Sequence, residues 1–472
     1  MARYIQFSML AALLFGTAVM AQPPVAEDLA RIRDEALRSD WAWQQLERLT
    51  DSVGPRLSGS PGLQAAIQQV SETARASGAQ VTLQKVKVPH WVRGREEAEL
   101  VEYPGRPSGL TQAVHLTALG GSAATAEGGL TAQVLVVRDL EDLRARAQEA
   151  HNKIVVIASR FDQRLAENGR ALEAYIQAGS ARFGGPKLAQ SLGAAAVLVR
   201  SVGGADYRLP HTGGTNWAEG QPHLPAAALA AEDADLIERL SRSGAVTLRL
   251  VLTPRTLPDA DSYNVLADWR GSELPEEVVV VSGHLDSWDL GTGAIDDGAG
   301  VISAAAVLNI LKTLDLHPRR TIRFIAWTNE ENGTRGSRAY INSIANDVAN
   351  QFAAIESDLG AGKVLGIEAA VTSESLAQLK PVMKTLAPIG ASVLSHSDSE
   401  VGSDIAGLQQ LGVPGFAPLV DTRHYFDYHH TAADTLDKVD PVHLREQVAT
   451  LATLAYYLAQ MPGPLPRFKT AE

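Results

Sequence analysis

Cysteine is missing from all 472 residues. Disulfides, thiol nucleophiles and thiolate metal sites are therefore excluded, and any metal must be held by histidines and carboxylates. Aromatic residues are scarce at 6%, and there is no basic excess, since 42 Lys and Arg stand against 54 Asp and Glu. A chain of net charge −12 without a basic stripe has no grip on a phosphate backbone, which argues against nucleic acid as a partner. Internal repeats and low-complexity tracts are lacking too. Beyond residue 21 no stretch is apolar enough to cross a bilayer. Two catalytic signatures are also missing. No G-x-S-x-G elbow occurs. Gly291-Thr292-Gly293 begins like a dinucleotide loop, but its last glycine position holds Asp296, whose charge would repel a pyrophosphate.

The remaining composition is that of a globular protein, 45% apolar and long enough for two or three domains. Residues 1–21 combine Arg3, the mostly apolar run Met9 to Phe15 and the small-residue pattern Val19-Met20-Ala21. That pattern predicts a cleaved secretory signal, hence a secreted or periplasmic protein with no membrane association after cleavage. Residues 22–124 are expected to open the catalytic domain. Residues 125–252 read as an inserted α/β or β-rich unit, with strands at Ala132–Val137, Lys153–Ala158, Ala194–Val199 and Ala245–Leu252. Its loops are expected to hold Gly184-Gly185-Pro186 and Pro210-His211-Thr212-Gly213-Gly214. Residues 253–472 alternate buried β-branched runs with apolar helices. This predicts a mostly parallel central sheet flanked by helices.

Functional groups in such sheets gather beyond the carboxyl ends of the strands. There the sequence supplies His284 and Asp286, then Glu330 and Glu331, then Asp358, then His429 and His430. A sulfur-free His/carboxylate set suits catalytic Zn²⁺. Asp286 is placed to accept the second N–H of His284, and of two adjacent glutamates one can ligate metal while the other moves a proton.

The run Ser282-Gly283-His284-Leu285-Asp286-Ser287-Trp288-Asp289, followed by Gly293-Ala294-Ile295-Asp296-Asp297-Gly298, resembles the co-catalytic di-zinc exopeptidases. That family includes bacterial leucyl aminopeptidases and glutamate carboxypeptidases, and the likeness to its plasma glutamate carboxypeptidase branch extends to Val88–Gly94, Pro210–Gly213 and Tyr425-Phe426. The resemblance implies the zinc-exopeptidase (phosphorylase/hydrolase-like) fold with a protease-associated-like insert, and two Zn²⁺ per chain. His284 and Asp358 would hold one ion, Glu331 and a histidine the other, and Asp296 would bridge them. His430-Thr431-Ala432-Ala433-Asp434-Thr435 fits the family pattern, so His430 is preferred to His429. Glu330 becomes the general acid/base, and Tyr425 and Asp404 are expected on the substrate side. A cis peptide between Asp296 and Asp297 and assembly as a homodimer are further implications. The expected reaction is hydrolysis of dipeptides or short peptides by a metal-bridging hydroxide. Whether the free amino or the free carboxyl end is recognised stays open. The rivals are a catalytically dead binding protein, which predicts missing ligands where none is missing, and a one-zinc acyl transferase or cyclase.

Overall fold

Strand Leu274–His284 shows how these residues set the architecture. Its run of four valines, Val278 to Val281, favours extended backbone because branching at Cβ restricts χ1. Alternate side chains point to opposite faces. Val279 and Val281 join the core formed with helices Ala299–Thr313 and Pro441–Gln460, whereas Val278 and Val280 pack with Ile325, Trp327 and Tyr340 behind the sheet. All four are buried, and burying one such side chain contributes about 1.5–3 kcal/mol.

The computed structural model describes residues 25–469, so the expected signal at 1–21 lies outside the described residues. Two eight-stranded sheets organise the chain. In the first, four strands (Arg320–Trp327, Leu274–His284, Gln351–Glu356 and Gly415–Val420) run parallel side by side. At their flanks Arg255–Trp269 pairs antiparallel with Arg320–Trp327, and Val364–Ala370 pairs antiparallel with Gly415–Val420. The sheet is thus mixed, a correction to the mostly parallel expectation. On one flank the reason is topological. The chain leaves the sheet along Gln80–Val92 and returns along Arg255–Trp269, and Val92 lies opposite Arg255 in an antiparallel pair.

The second sheet hangs from that splice. It begins at Glu96–Glu102, ends at Thr247–Leu252 and carries its own core on both faces. Gly184-Gly185-Pro186, expected in a loop, lies inside helix Ala171–Ser191. Close packing explains the glycines: a Cβ on Gly185 would fall 2.5 Å from Ile157 Cδ1. Pro186 only removes the amide that would have bonded the Arg182 carbonyl. Contrary to the expectation that no stretch beyond residue 21 is apolar enough, one helix among the described residues, Ala294–Thr313, is long and apolar enough to cross a membrane, and 94% of its most apolar window is buried in the protein.

Candidate metal centre

The parallel register makes the strand ends flush. His284 pairs with Trp327, and Ser282 with Glu356. Glu330, Glu331 and Asp358 therefore emerge beside His284 at one edge of the sheet. Asp296 reaches the same place from the turn before helix Ala299–Thr313, and its peptide bond to Asp297 is cis. His430 follows the short helix Tyr425–Tyr428.

Asp296 addresses two histidines with its two oxygens. Its Oδ1 lies 3.2 Å from His284 Nε2, and its Oδ2 lies 3.1 Å from His430 Nε2. Asp358 Oδ1 stands 3.1 Å from His284 Nε2, and Glu331 Oε2 stands 2.9 Å from His430 Nε2. Of three candidate ligand groups among the described residues, His284–Asp296–Asp358 and Asp296–Glu331–His430 share Asp296, and the third, His211–His429–His430, contains no carboxylate. Donors around a tetrahedral zinc with bonds of about 2.0–2.1 Å are separated by roughly 3.3 Å, close to these spacings.

Electrostatics agree that the cluster wants cations. Burial disfavours charge on His284, yet Asp358 and Asp296 outweigh it and raise its pKa well above the ordinary value. His430 is raised in the same way, with Glu331 overcoming burial. Protons thus take the place that metal charge would fill. Glu331 Oε1 has no hydrogen-bond partner although buried, a free ligand atom. Glu330, half-buried and facing Asp358 and Glu331, has its carboxyl pushed well above the usual range by desolvation and by those two carboxylates. This is the direction a proton carrier at neutral pH needs.

His429 and His430 stack with ring centroids 3.6 Å apart. Both Nε2 atoms approach Asp296 Oδ2, but His430 alone also meets Glu331. His429 Nδ1 instead faces His211 Nε2 at 3.1 Å. His430 adopts a left-handed backbone with φ +60°, which costs a non-glycine residue about 1–3 kcal/mol. A reciprocal pair of bonds holds it there: Thr212 N–H donates to the His430 carbonyl at 2.9 Å, and His430 Nδ1 donates to the Thr212 carbonyl at 3.2 Å. The second bond fixes the tautomer that leaves Nε2 free for metal.

Asp286 departs from its expected part. His284 Nδ1 bonds the backbone carbonyl of Asp286 at 2.9 Å, not its carboxylate. The carboxylate accepts from Glu330 N–H at 3.0 Å and from Ser58 Oγ at 3.1 Å, so it positions the glutamate pair. With only one residue between them, the Asp286 carbonyl curls back to the imidazole more readily than its side chain does. Tyr425, expected on the substrate side, is among the residues that line the cleft. Asp404, also expected there, is 1% exposed and lies outside the cleft lining, behind Glu356. Arg56, which composition and spacing left unremarked, is fully buried and donates to the carbonyls of Gly54, Leu285, Thr292 and Gly293, clamping the loops around His284 and Asp296. Asp434 holds the same loop by accepting from Ile295 N–H at 2.8 Å. The Gly54-Pro55-Arg56 turn carried no signal of this, whereas His211-Thr212 stood in a quoted motif.

The cleft, about 640 Å³ in volume, is lined by the candidate metal ligands together with Trp91 of the first sheet and Tyr175, Arg182, Phe183 and Trp217 of the inserted unit.

Comparison with known proteins agrees. The model of "Peptidase family M28" matches residues 264–455. Carboxypeptidase Q of Homo sapiens is 37% identical over 429 residues, 90% of this chain and 87% of the human protein. That of Xenopus laevis is 35% identical, covering 96% and 92%. A crystal structure of a peptidase M28 precursor from Shewanella amazonensis superposes with a TM-score of 0.89 at 34% identity, covering 95% of this chain and 99% of that one. The zinc aminopeptidase of Bacillus subtilis, 21% identical with a TM-score of 0.63 over 89% and 94% of the two chains, shares the fold. With over a third of its residues in common along nearly the whole of a full-length relative, this chain belongs to peptidase family M28.

Proposed function

We propose that the protein is a di-zinc exopeptidase of dipeptides or short peptides. One ion is held by His284, Asp296 and Asp358, the other by Asp296, Glu331 and His430. Asp296, offering one oxygen to each histidine, carries this reading. When bound, zinc supplies the Lewis acidity that polarises a peptide carbonyl and acidifies water. Glu330, with its raised carboxyl pKa, takes up the proton of the attacking water and hands it to the leaving amine. Asp286 orients Glu330 through its backbone amide. The inserted unit, which we read as a protease-associated-like domain, closes the cleft and shapes what enters. Export directed by residues 1–21 and pairing with a second copy belong to the same proposal and rest on the resemblance.

Metal analysis and dipeptide hydrolysis on one sample, before and after Glu330→Gln, test it. Two zincs per chain, with activity lost and metal kept in the variant, is the expected outcome. Two zincs with no hydrolysis by the wild type would make the protein a binding protein. One zinc or none would overturn the ligand assignment.

A further inference from the structure

Charge is unevenly spread in the cleft. Acidic residues cluster with the proposed ligands, while Arg182, projecting from the inserted unit's helix Ala171–Ser191, lines the cleft beside His430 at 2% exposed. Arginines this buried are as a rule paired with carboxylates. Arg182 has none among the described residues. Nη1 donates to the Thr212 carbonyl at 3.1 Å and lies 3.5 Å from the Nδ1 atoms of His211 and His430, while Nε has no acceptor. The guanidinium lies against Gly213, where a Cβ would fall 2.4 Å from Nη1. Two neighbours on the same lining segment share its condition, since Thr215 Oγ1 and Trp217 Nε1 are buried without partners. Asn216 N–H, between them, bonds the Phe183 carbonyl and ties this segment to the arginine's helix.

Three buried donors without an acceptor, one of them charged, call for an anionic group with several lone pairs. The opposite end of a peptide finds nothing comparable. Apart from the proposed ligands and Glu330, the acid lining the cleft is Asp259, and Arg335 already pairs with it. No other carboxylate lining the cleft awaits an ammonium; Asp404, whose two oxygens lack hydrogen-bond partners among the described residues, is buried outside that lining. The geometry points to a subsite for the terminal carboxylate of a short peptide, made by Arg182 with Thr215 and Trp217. It rests on the exopeptidase reading above and makes the protein a carboxypeptidase or dipeptidase, not an aminopeptidase. Leu172, Tyr175 and Phe183, on the same helix, offer apolar contact to the adjoining side chain. Arg338, the other arginine of the cleft, is spent on its own turn, donating to the Gly333 carbonyl and to Thr334 Oγ1.

The test is calorimetric binding of leucyl-leucine and leucyl-leucinamide to the zinc-loaded Glu330→Gln protein, with hydrolysis of both by the wild type measured in parallel. The free acid is expected to bind at least tenfold more tightly than the amide. That preference should vanish in Arg182→Gln and shrink several-fold in Trp217→Phe, with zinc content unchanged. Equal binding of the two ligands, a preference that survives Arg182→Gln, or one lost in Arg338→Gln instead would each overturn the subsite. Should Arg182→Gln not fold, the double variant Thr215→Val/Trp217→Phe decides in the same way. Selective binding without any hydrolysis sinks the exopeptidase reading and leaves the subsite standing. Hydrolysis without selectivity does the reverse.

Discussion

At the scale of single residues, Asp286 is the informative one. Its carboxylate joins Ser58 Oγ to the amide of Glu330, so its influence on the reaction passes through the glutamates and not through His284. Asp286→Ala would leave two buried donors unpaired, at about 1–3 kcal/mol each. We expect kcat to fall roughly 10–100-fold, as for other outer-shell partners, while the zinc content stays unchanged. Loss of one zinc, read by metal analysis, would show that Asp286 works on the imidazole after all. The site was legible at this scale because each strand end places a rare His or acid beside the next. Asp404 misled because sequence marks a residue's place along the chain and not its depth. Arg56 and Asp434 act on backbone carbonyls and amides, which no side-chain motif records.

Among elements, helix Ala171–Ser191 carries the cleft's second wall and is held against its sheet by glycines. Gly185→Val should clash with Ile157, destabilise by about 1–3 kcal/mol and be seen as a lower urea midpoint with an unchanged slope. Gly184-Gly185-Pro186 reads as a break because its local preference is for turns, and tertiary packing overrides it. The same conflict hid strand Ala226–Leu229, whose three alanines carry no β signal although it completes hydrogen bonds with Ala196–Arg200 and Leu116–Ala118. By contrast, the valine-rich and isoleucine-rich strands of the first sheet were plain, since burial on both faces leaves no polar alternation to blur them. The antiparallel flanks were not, because pairing direction depends on where the insert is spliced.

For the whole molecule, the metal centre sets how stability responds to pH. In the metal-free protein burial and nearby carboxylates push Glu356 and Asp434 up to about 7. Folded carboxyls raised in this way keep protons that the unfolded chain has already released. Stability should therefore decline as pH rises from about 4 to 7 and level off above, a trend readable as a falling Tm in the chelated protein. Zinc reverses the sign. Its ligands must lose their protons to bind, so the loaded protein should lose stability as pH falls below about 6. At neutral pH, chelation is expected to lower stability by about 2.7 kcal/mol or more, given free zinc at a hundred times Kd beforehand. A Tm unmoved by chelator would contradict the metal centre.

The reciprocal bonds between Thr212 and His430 mean that the inserted unit also holds a histidine of the candidate metal centre. Because the insert enters and leaves the sheet at adjacent strands, it resembles an exchangeable cartridge: its length and outer loops can drift without disturbing the frame that receives it. The Thr212 contact limits that freedom. A foreign cartridge would bring new selectivity only if it also restored one carbonyl at the right place behind His430, and a truncated protein without any cartridge would leave that imidazole free to turn away. The insert and the candidate metal centre are therefore coupled through a single peptide group.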